Sequence, residues 1–350
     1  MTKILDPQAF NPLLVQTIEE ILSEESTHAS SYGDFLAKRL DYFHTLTITN
    51  SKKIRGYLVY LGSQLFAENT DMDDILQLAS AMEIFHTAIL IHDDIEDDSA
   101  IRRGMDTFHI FEEKLTGSKH LGTSLAINIG DMGLFFAAHL MSSTKKAAPE
   151  DALKIFQIFS RISVDLAYGQ TYDLLSNVAL TKDRTFEEIL KICNLKTGTY
   201  TFLMPLQIGI TAGGHADKAQ TIEPFAYNAG IVFQLSDDFL DVFSDTQESG
   251  KLVCTDLREG KINSITKLTL DKANGMERDY ILSILGKKEE HIDVERIRSL
   301  MMTSGVYDAM LSYMDTHTNN ALEELKKLEG NKKVKAILGN IISSLKARKK

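Results

Sequence analysis

Apolar residues recur with a helical period over much of the chain, and they do so in long stretches. The runs Ile75–Ile91 and Phe225–Phe243 are the clearest, and their spacing predicts helices. Regular strand–helix alternation with Gly-rich turns is not visible. Only five prolines occur, Pro7, Pro12, Pro149, Pro205 and Pro224, so long segments lack the strongest helix breaker. The pattern predicts an all-α protein. No internal repeat and no Pro/Ser-rich linker interrupts it, and a single domain over residues 1–350 is expected.

Composition narrows the setting. With 350 residues, 43% of them apolar, the chain can bury one large core or two ordinary ones. The two cysteines, Cys193 and Cys254, have no ligand spacing and read as free thiols in a reducing compartment. The first 25 residues carry several carboxylates and no uninterrupted apolar core, unlike a signal peptide. No run of about 18 or more apolar residues predicts a membrane span. A soluble cytoplasmic protein is expected. The net charge of -11 argues against general nucleic-acid binding. It also means that an anionic ligand needs locally placed cations.

Two acidic motifs carry the first chemical signal. One is Ile91-His92-Asp93-Asp94-Ile95-Glu96-Asp97-Asp98, at the end of the first apolar run. The other is Phe233-Gln234-Leu235-Ser236-Asp237-Asp238-Phe239-Leu240-Asp241, at the end of the second. Asp93 and Asp97 are i,i+4, as are Asp237 and Asp241, so each pair shares a helical face. Like charges at that spacing destabilise a helix by roughly 0.2–0.5 kcal/mol, and burial raises the cost. Hard cations offset it: carboxylate oxygens suit Mg²⁺, which in turn binds phosphate oxygens. A lone DDxxD is commonly a solvated acidic face. Two copies, each after an apolar run, weigh against coincidence.

Cations follow in sequence. Arg102-Arg103-Gly104 comes just after Asp97, and arginine suits bidentate phosphate binding. Ser51-Lys52-Lys53-Ile54-Arg55-Gly56, Lys196-Thr197-Gly198, Gly250-Lys251 and Asp256-Leu257-Arg258-Glu259-Gly260-Lys261 each set Lys or Arg near a small residue or hydroxyl. Any one of these alone reads as solvated charge. The basic end, Lys346-Ala347-Arg348-Lys349-Lys350, is expected to be a solvated tail.

The assembly of motifs is more specific than its parts. HDDIED with RRG, GQTYDL at Gly169–Leu174, KTG at Lys196 and GIVFQLSDDFLD at Gly230–Asp241 resemble the trans-isoprenyl diphosphate synthase (polyprenyl synthetase) family. The resemblance runs in order from about Lys52 to Lys261. It implies an isoprenoid-synthase bundle of long, mostly antiparallel helices around a deep central cavity, usually as a homodimer. It implies head-to-tail condensation of isopentenyl diphosphate with an allylic diphosphate (dimethylallyl, geranyl or farnesyl), with three Mg²⁺ ions. Carried over by position, Asp93, Asp94, Asp97, Asp237 and Asp241 bind Mg²⁺, and Asp238 completes the second acidic motif. Arg102, Lys196, Thr197, Gln234, Lys251 and Lys261 contact the allylic diphosphate or its metals. Lys52, Arg55, His86 and Arg103 hold the diphosphate of isopentenyl diphosphate. Two stretches depart from the family pattern. The usual GGKRxRP reads Ser51–Gly56 with its glycines and proline missing, and the usual RRGxPT has Asp106 in place of proline. The loop carrying Lys52 is therefore expected to sit differently.

The resemblance also bears on product length. The growing chain is expected to run down the helix that carries Asp93. Ala88 and Ile89 lie five and four positions before Asp93, and Ala88 roughly 7–8 Å below it. Short-product relatives often have a bulky aromatic at this level, and Ala88 is expected to leave it open. Phe85, roughly 12 Å down, is expected to form a deeper floor, helped by Phe135 or Phe136 on a neighbouring helix; for all three the plain alternative is core packing. Geranylgeranyl diphosphate is the expected product, with longer chains the rival. A class I terpene cyclase would lack a second DDxxD and leave Lys52 and Lys251 unexplained. A regulatory synthase subunit would tend to have lost one aspartate motif.

Overall fold

The computed structural model describes residues 4–49, 51–67, 70–175, 184–244, 253–287 and 292–346. It is all-α. In chain order the helices are α1 (Pro7–Ser30), α2 (Asp34–Ile48), α3 (Ile54–Phe66), α4 (Met72–Glu96), α5 (Phe108–Thr116), α6 (Lys119–Ser142), α7 (Pro149–Leu174) and α8 (Phe186–Cys193). A π-helical segment, Asn194–Leu203, leads into α9 (Met204–Ala212), and a 3₁₀ turn, Ala216–Ile222, leads into α10 (Glu223–Phe243). Then come α11 (Thr255–Glu259), α12 (Ser264–Lys272), α13 (Gly275–Ile284), α14 (Val294–Thr303), α15 (Val306–Lys327) and α16 (Lys332–Lys346). Among the described residues, strand is confined to one hairpin, Ile101–Arg102 with Met105–Asp106.

The chain packs as two compact units. One is Met1–Ser160 with Met204–Gln220, and the other is Arg161–Leu203 with Thr221–Lys350.

The first unit is organised on α4. Asp71 caps that helix, its carboxylate accepting the N–H groups of Asp73 and Asp74, and the acidic first turn suits the helix dipole. From Leu78 to Ala88 every residue is buried, so α4 is a core helix, packed on α1, α3, α6 and α9. Its approach to α6 depends on glycine. A methyl at Gly133 would lie 2.9 Å from the Ala88 methyl and 2.9 Å from the Phe43 ring, and one at Gly130 would lie 2.3 Å from the His92 ring.

α4 and α6 are both long and apolar enough to cross a membrane by length and composition alone. The apolar window of α4 is 72% buried, so its hydrophobicity is used by the core; that of α6 is 33% buried.

The second unit is organised on α10. Its apolar side packs with α8, α11, α12, α14 and α15 in a core that includes Phe186, Leu235, Phe239, Leu257, Ile297 and Met310. The motif-free residues after 270 thus furnish much of the wall on which the second acidic motif rests.

Candidate active site

In the first unit the acidic motif and the arginine motif meet. Asp93 and Asp94 lie in the last turn of α4, and Asp97 is its C-cap, its N–H bonding the Asp93 carbonyl at 2.9 Å. The hairpin that follows turns through Arg103 and Gly104, both at positive φ (54° and 81°), the backbone of a tight two-residue turn. Asp106, which replaces the family's proline, pairs with Ile101 across the hairpin and takes Lys114 Nζ at 2.7 Å. The turn brings Arg102 back onto the carboxylates. Its Nε donates to Asp94 Oδ1 at 2.6 Å and its Nη2 to Asp93 Oδ2 at 3.2 Å. Burial raises the Asp94 carboxyl to about 7, with Asp93 and Asp97 adding to the rise and Arg102 opposing it. Arg102 loses from burial but gains more from Asp94 and Asp93, so it is held above its ordinary value.

Next to this acidic end is a cluster of cations. Arg55, in the first turn of α3, is buried, as is His86 on α4. Burial, then Arg55, Arg103, Arg102 and Lys53, hold His86 well below its ordinary value. It is therefore neutral and offers a hydrogen bond rather than a charge. Arg103 Nη1 reaches the Thr49 carbonyl at 3.4 Å. Lys52 is exposed. The sequence reading passed over Lys53, yet its side chain is buried and its ammonium donates to the Thr47 carbonyl at 2.5 Å. Burial lowers Lys53 to about 8.

In the second unit three motifs are joined by close backbone contact. A methyl at Gly169, the first residue of GQTYDL, would lie 2.4 Å from the Lys196 amide nitrogen. A methyl at Gly230, on α10, would lie 2.3 Å from the α-carbon of Gly198 in KTG. Only glycine permits these approaches. They set the π-helical segment, with Lys196 and half-buried Thr197, against α7 and α10. Lys196 Nζ pairs with Asp173 Oδ2 at 2.5 Å. Lys196, Asp173, Gln234, Asp238, Asp256 and Lys261 line one cleft with an empty volume of about 540 Å³.

The three aspartates of the second motif differ in what they do. Asp237 is exposed. Asp238 is 1% exposed; it accepts Gln234 Nε2 at 2.7 Å and both the Ser264 amide (3.0 Å) and hydroxyl (2.5 Å), capping α12. Burial raises it to about 6, against the Ser264 and Gln234 hydrogen bonds. Asp241 accepts the Thr255 amide at 3.0 Å, the Thr255 hydroxyl and the Asp256 amide at 3.2 Å. Asp256 is driven well above its ordinary value by burial, then by Asp241 and Asp238, and takes Asn263 Nδ2 at 2.6 Å. Lys261 Nζ pairs with Glu259 at 2.9 Å. Asp173 and Asp256 were not singled out from sequence; an acidic residue inside GQTYDL and one ahead of Lys261 were the available signals. Lys251 and residues 347–350 lie outside the described residues.

Ala88 is fully buried where α4 crosses α6, close to Gly133. Its small size suits this helix crossing. Phe135 is 76% exposed, on the side of α6 away from Gly133, so it closes no floor within this unit. Phe136 and Ile89 are half-buried. Phe85 is buried edge-on to Phe159, ring centres 4.9 Å apart.

Residues 37–301 match the model of the polyprenyl synthetase family. The chain belongs to that family. Among relatives, it is 30% identical over 286 residues to the short chain isoprenyl diphosphate synthase of Methanothermobacter thermautotrophicus, covering 82% of this chain and 83% of that one. It is 28% identical to the geranylgeranyl diphosphate synthase of Sulfolobus acidocaldarius, over 88% of this chain and 90% of that one. In fold it resembles the geranylgeranyl pyrophosphate synthase of Corynebacterium glutamicum, solved with isoprenyl diphosphate and magnesium, with a TM-score of 0.90 at 23% identity over 98% of this chain and 100% of that one.

The residues present suit a hard divalent cation. Among the described residues no three acidic, His or Cys groups form a ready-made metal cage. The donors are nonetheless hard carboxylate oxygens, and burial raises the Asp94 carboxyl to about 7, with the neighbouring Asp93 and Asp97 adding to the rise. A divalent cation opposes that rise.

Proposed function

We propose that this polyprenyl synthetase joins isopentenyl diphosphate head-to-tail to an allylic diphosphate and releases pyrophosphate, with geranylgeranyl diphosphate as its main product. The observation that carries this reading is the pairing of two unlike sites in the first unit. A carboxylate set that calls for a cation ends α4, and a cluster of buried cations around neutral His86 lies beside it. The first suits a metal-bound diphosphate and the second a diphosphate held by cations directly.

Asp93, Asp94, Asp97, Asp237 and Asp241 hold Mg²⁺, three ions in this reading, and the metal supplies positive charge for the diphosphate that leaves the allylic carbon. Arg102, Lys196, Thr197, Gln234, Lys251 and Lys261 bind and orient that diphosphate. Lys52, Arg55 and Arg103 hold isopentenyl diphosphate, to which neutral His86 donates a hydrogen bond. Apolar walls keep water from the allylic cation until the double bond of isopentenyl diphosphate attacks it. The released pyrophosphate accepts the proton lost in the last step. The enzyme works in the cytoplasm as a homodimer; Leu121, Ile127 and Phe135 form an exposed apolar face on α6 that suits association.

The test is chromatography of products from labelled isopentenyl diphosphate with each allylic primer. A twenty-carbon diphosphate, lost on chelation and regained with Mg²⁺, is expected. Hydrocarbon released from the allylic diphosphate alone would instead identify a cyclase. No product from the purified chain would point to a regulatory subunit.

A further inference from the structure

Glu83 carries no motif in the sequence, yet it holds the cation cluster together. It lies on α4 one turn before His86 and is 3% exposed. Its Oε1 accepts the Gly56 N–H at 2.9 Å. That N–H is one of the first-turn donors that a helix leaves without a partner of its own. The N-cap residue of α3 is Lys53, in the left-handed region at φ 49°, and it makes no side-chain cap. α4 therefore supplies the cap that α3 lacks. Gly56 stands where the family pattern has proline, whose nitrogen has no hydrogen to donate, so the bond depends on this chain's own sequence.

The same carboxylate acts electrostatically on two nearby cations, Lys53 and Arg103. Glu83 favours the charged form of Lys53 and of Arg103, while Arg103 disfavours that of Lys53 and Arg55 that of Arg103. Lys53 and Arg103 also share anchors at the end of α2, the Thr47 and Thr49 carbonyls. Like charges so buried repel strongly unless something offsets them.

We propose that Glu83 is a positioning residue for the isopentenyl diphosphate subsite: it caps the turn that carries Arg55 and supplies the negative charge that balances the neighbouring Lys53 and Arg103. This rests on the assignment of Arg55, His86 and Arg103 to that diphosphate. Glu83 acts through these cations.

Glu83→Gln tests the idea, because it keeps the acceptor for Gly56 and removes the charge. Steady-state kinetics of the full chain with Mg²⁺ should show KM for isopentenyl diphosphate raised about tenfold, with smaller effects on kcat and on KM for the allylic primer. Lys53→Met approaches the pair from the other side, removing the cation that Glu83 balances, and should raise the same KM. The double variant should lose less than the product of the two single losses, the mark of a coupled pair. Arg55→Ala separates this idea from the site assignment. A raised KM in Arg55→Ala, with both Glu83→Gln and Lys53→Met at the wild-type value, overturns the role of Glu83 alone. An unchanged KM in all three overturns the subsite assignment as well. Fully multiplicative losses in the double variant would also overturn the pairing.

Discussion

Lys196 Nζ donates to the Asp173 carboxylate across 2.5 Å, tying the π-helical segment to the last turn of α7. Both side chains are about a quarter exposed, so an arriving diphosphate can compete for the ammonium. Lys196→Ala should lower kcat/KM for the allylic primer by about a hundredfold. KM for isopentenyl diphosphate should move little. A loss confined to isopentenyl diphosphate would reverse the assignment of Lys196.

Asp93→Ala and Asp237→Ala should each cut kcat by roughly 10²–10⁴-fold, as expected where leaving-group charge loses its stabiliser. Asp237 is exposed and Asp93 half-buried, so far-UV circular dichroism should keep its helical signal. Near-normal turnover in either variant would remove that residue from the metal ligands.

Asp94 predicts a pH effect on stability. Its carboxyl stands at about 7 in the fold, raised chiefly by burial, against about 3.9 unfolded. A group raised in this way contributes stability that is full below the unfolded value and is lost as pH rises through the folded one. Asparagine cannot lose that contribution. In chelator, the melting temperature of Asp94→Asn relative to wild type should therefore be higher at pH 8 than at pH 5. An equal difference at both pH values would show that Asp94 is already ionised at pH 5.

Ala88→Phe and Phe85→Ala should behave differently. Phenylalanine at fully buried position 88 would press on α6 at Gly133 and should destabilise the fold by about 1–3 kcal/mol through overpacking, read as a lowered melting temperature. Phe85→Ala removes a ring packed on Phe159, costing about 3–5 kcal/mol, and the space it opens should lengthen the product. Product chromatography reads the second effect. A chain-length distribution that stays the same in Phe85→Ala would mean that the tail takes another path.

The helical class and the two acidic motifs were legible in the sequence because both rest on local periodicity. Apolar residues at helical spacing ran into Asp93 and Asp237, and helix geometry alone placed Asp97 and Asp241 one turn further on. The ordered Lys and Arg motifs were legible for the same reason: their residues lie within a few positions of one another. What each side chain does was decided by tertiary contacts at long sequence separation. Asp94 and Asp97 look alike in sequence, but the hairpin folds Arg102 onto Asp94. Asp237 and Asp241 look alike too, but only Asp241 meets the amides of Thr255 and Asp256. The closeness of Ala88 to Gly133 of α6 was not legible in the sequence either, because the two lie far apart along the chain. Glu83 gave no sign of its role, because its partner Gly56 lies 27 residues away. Burial and hydrogen-bond partners set the charge and freedom of a carboxylate, and the packing of distant elements supplies both.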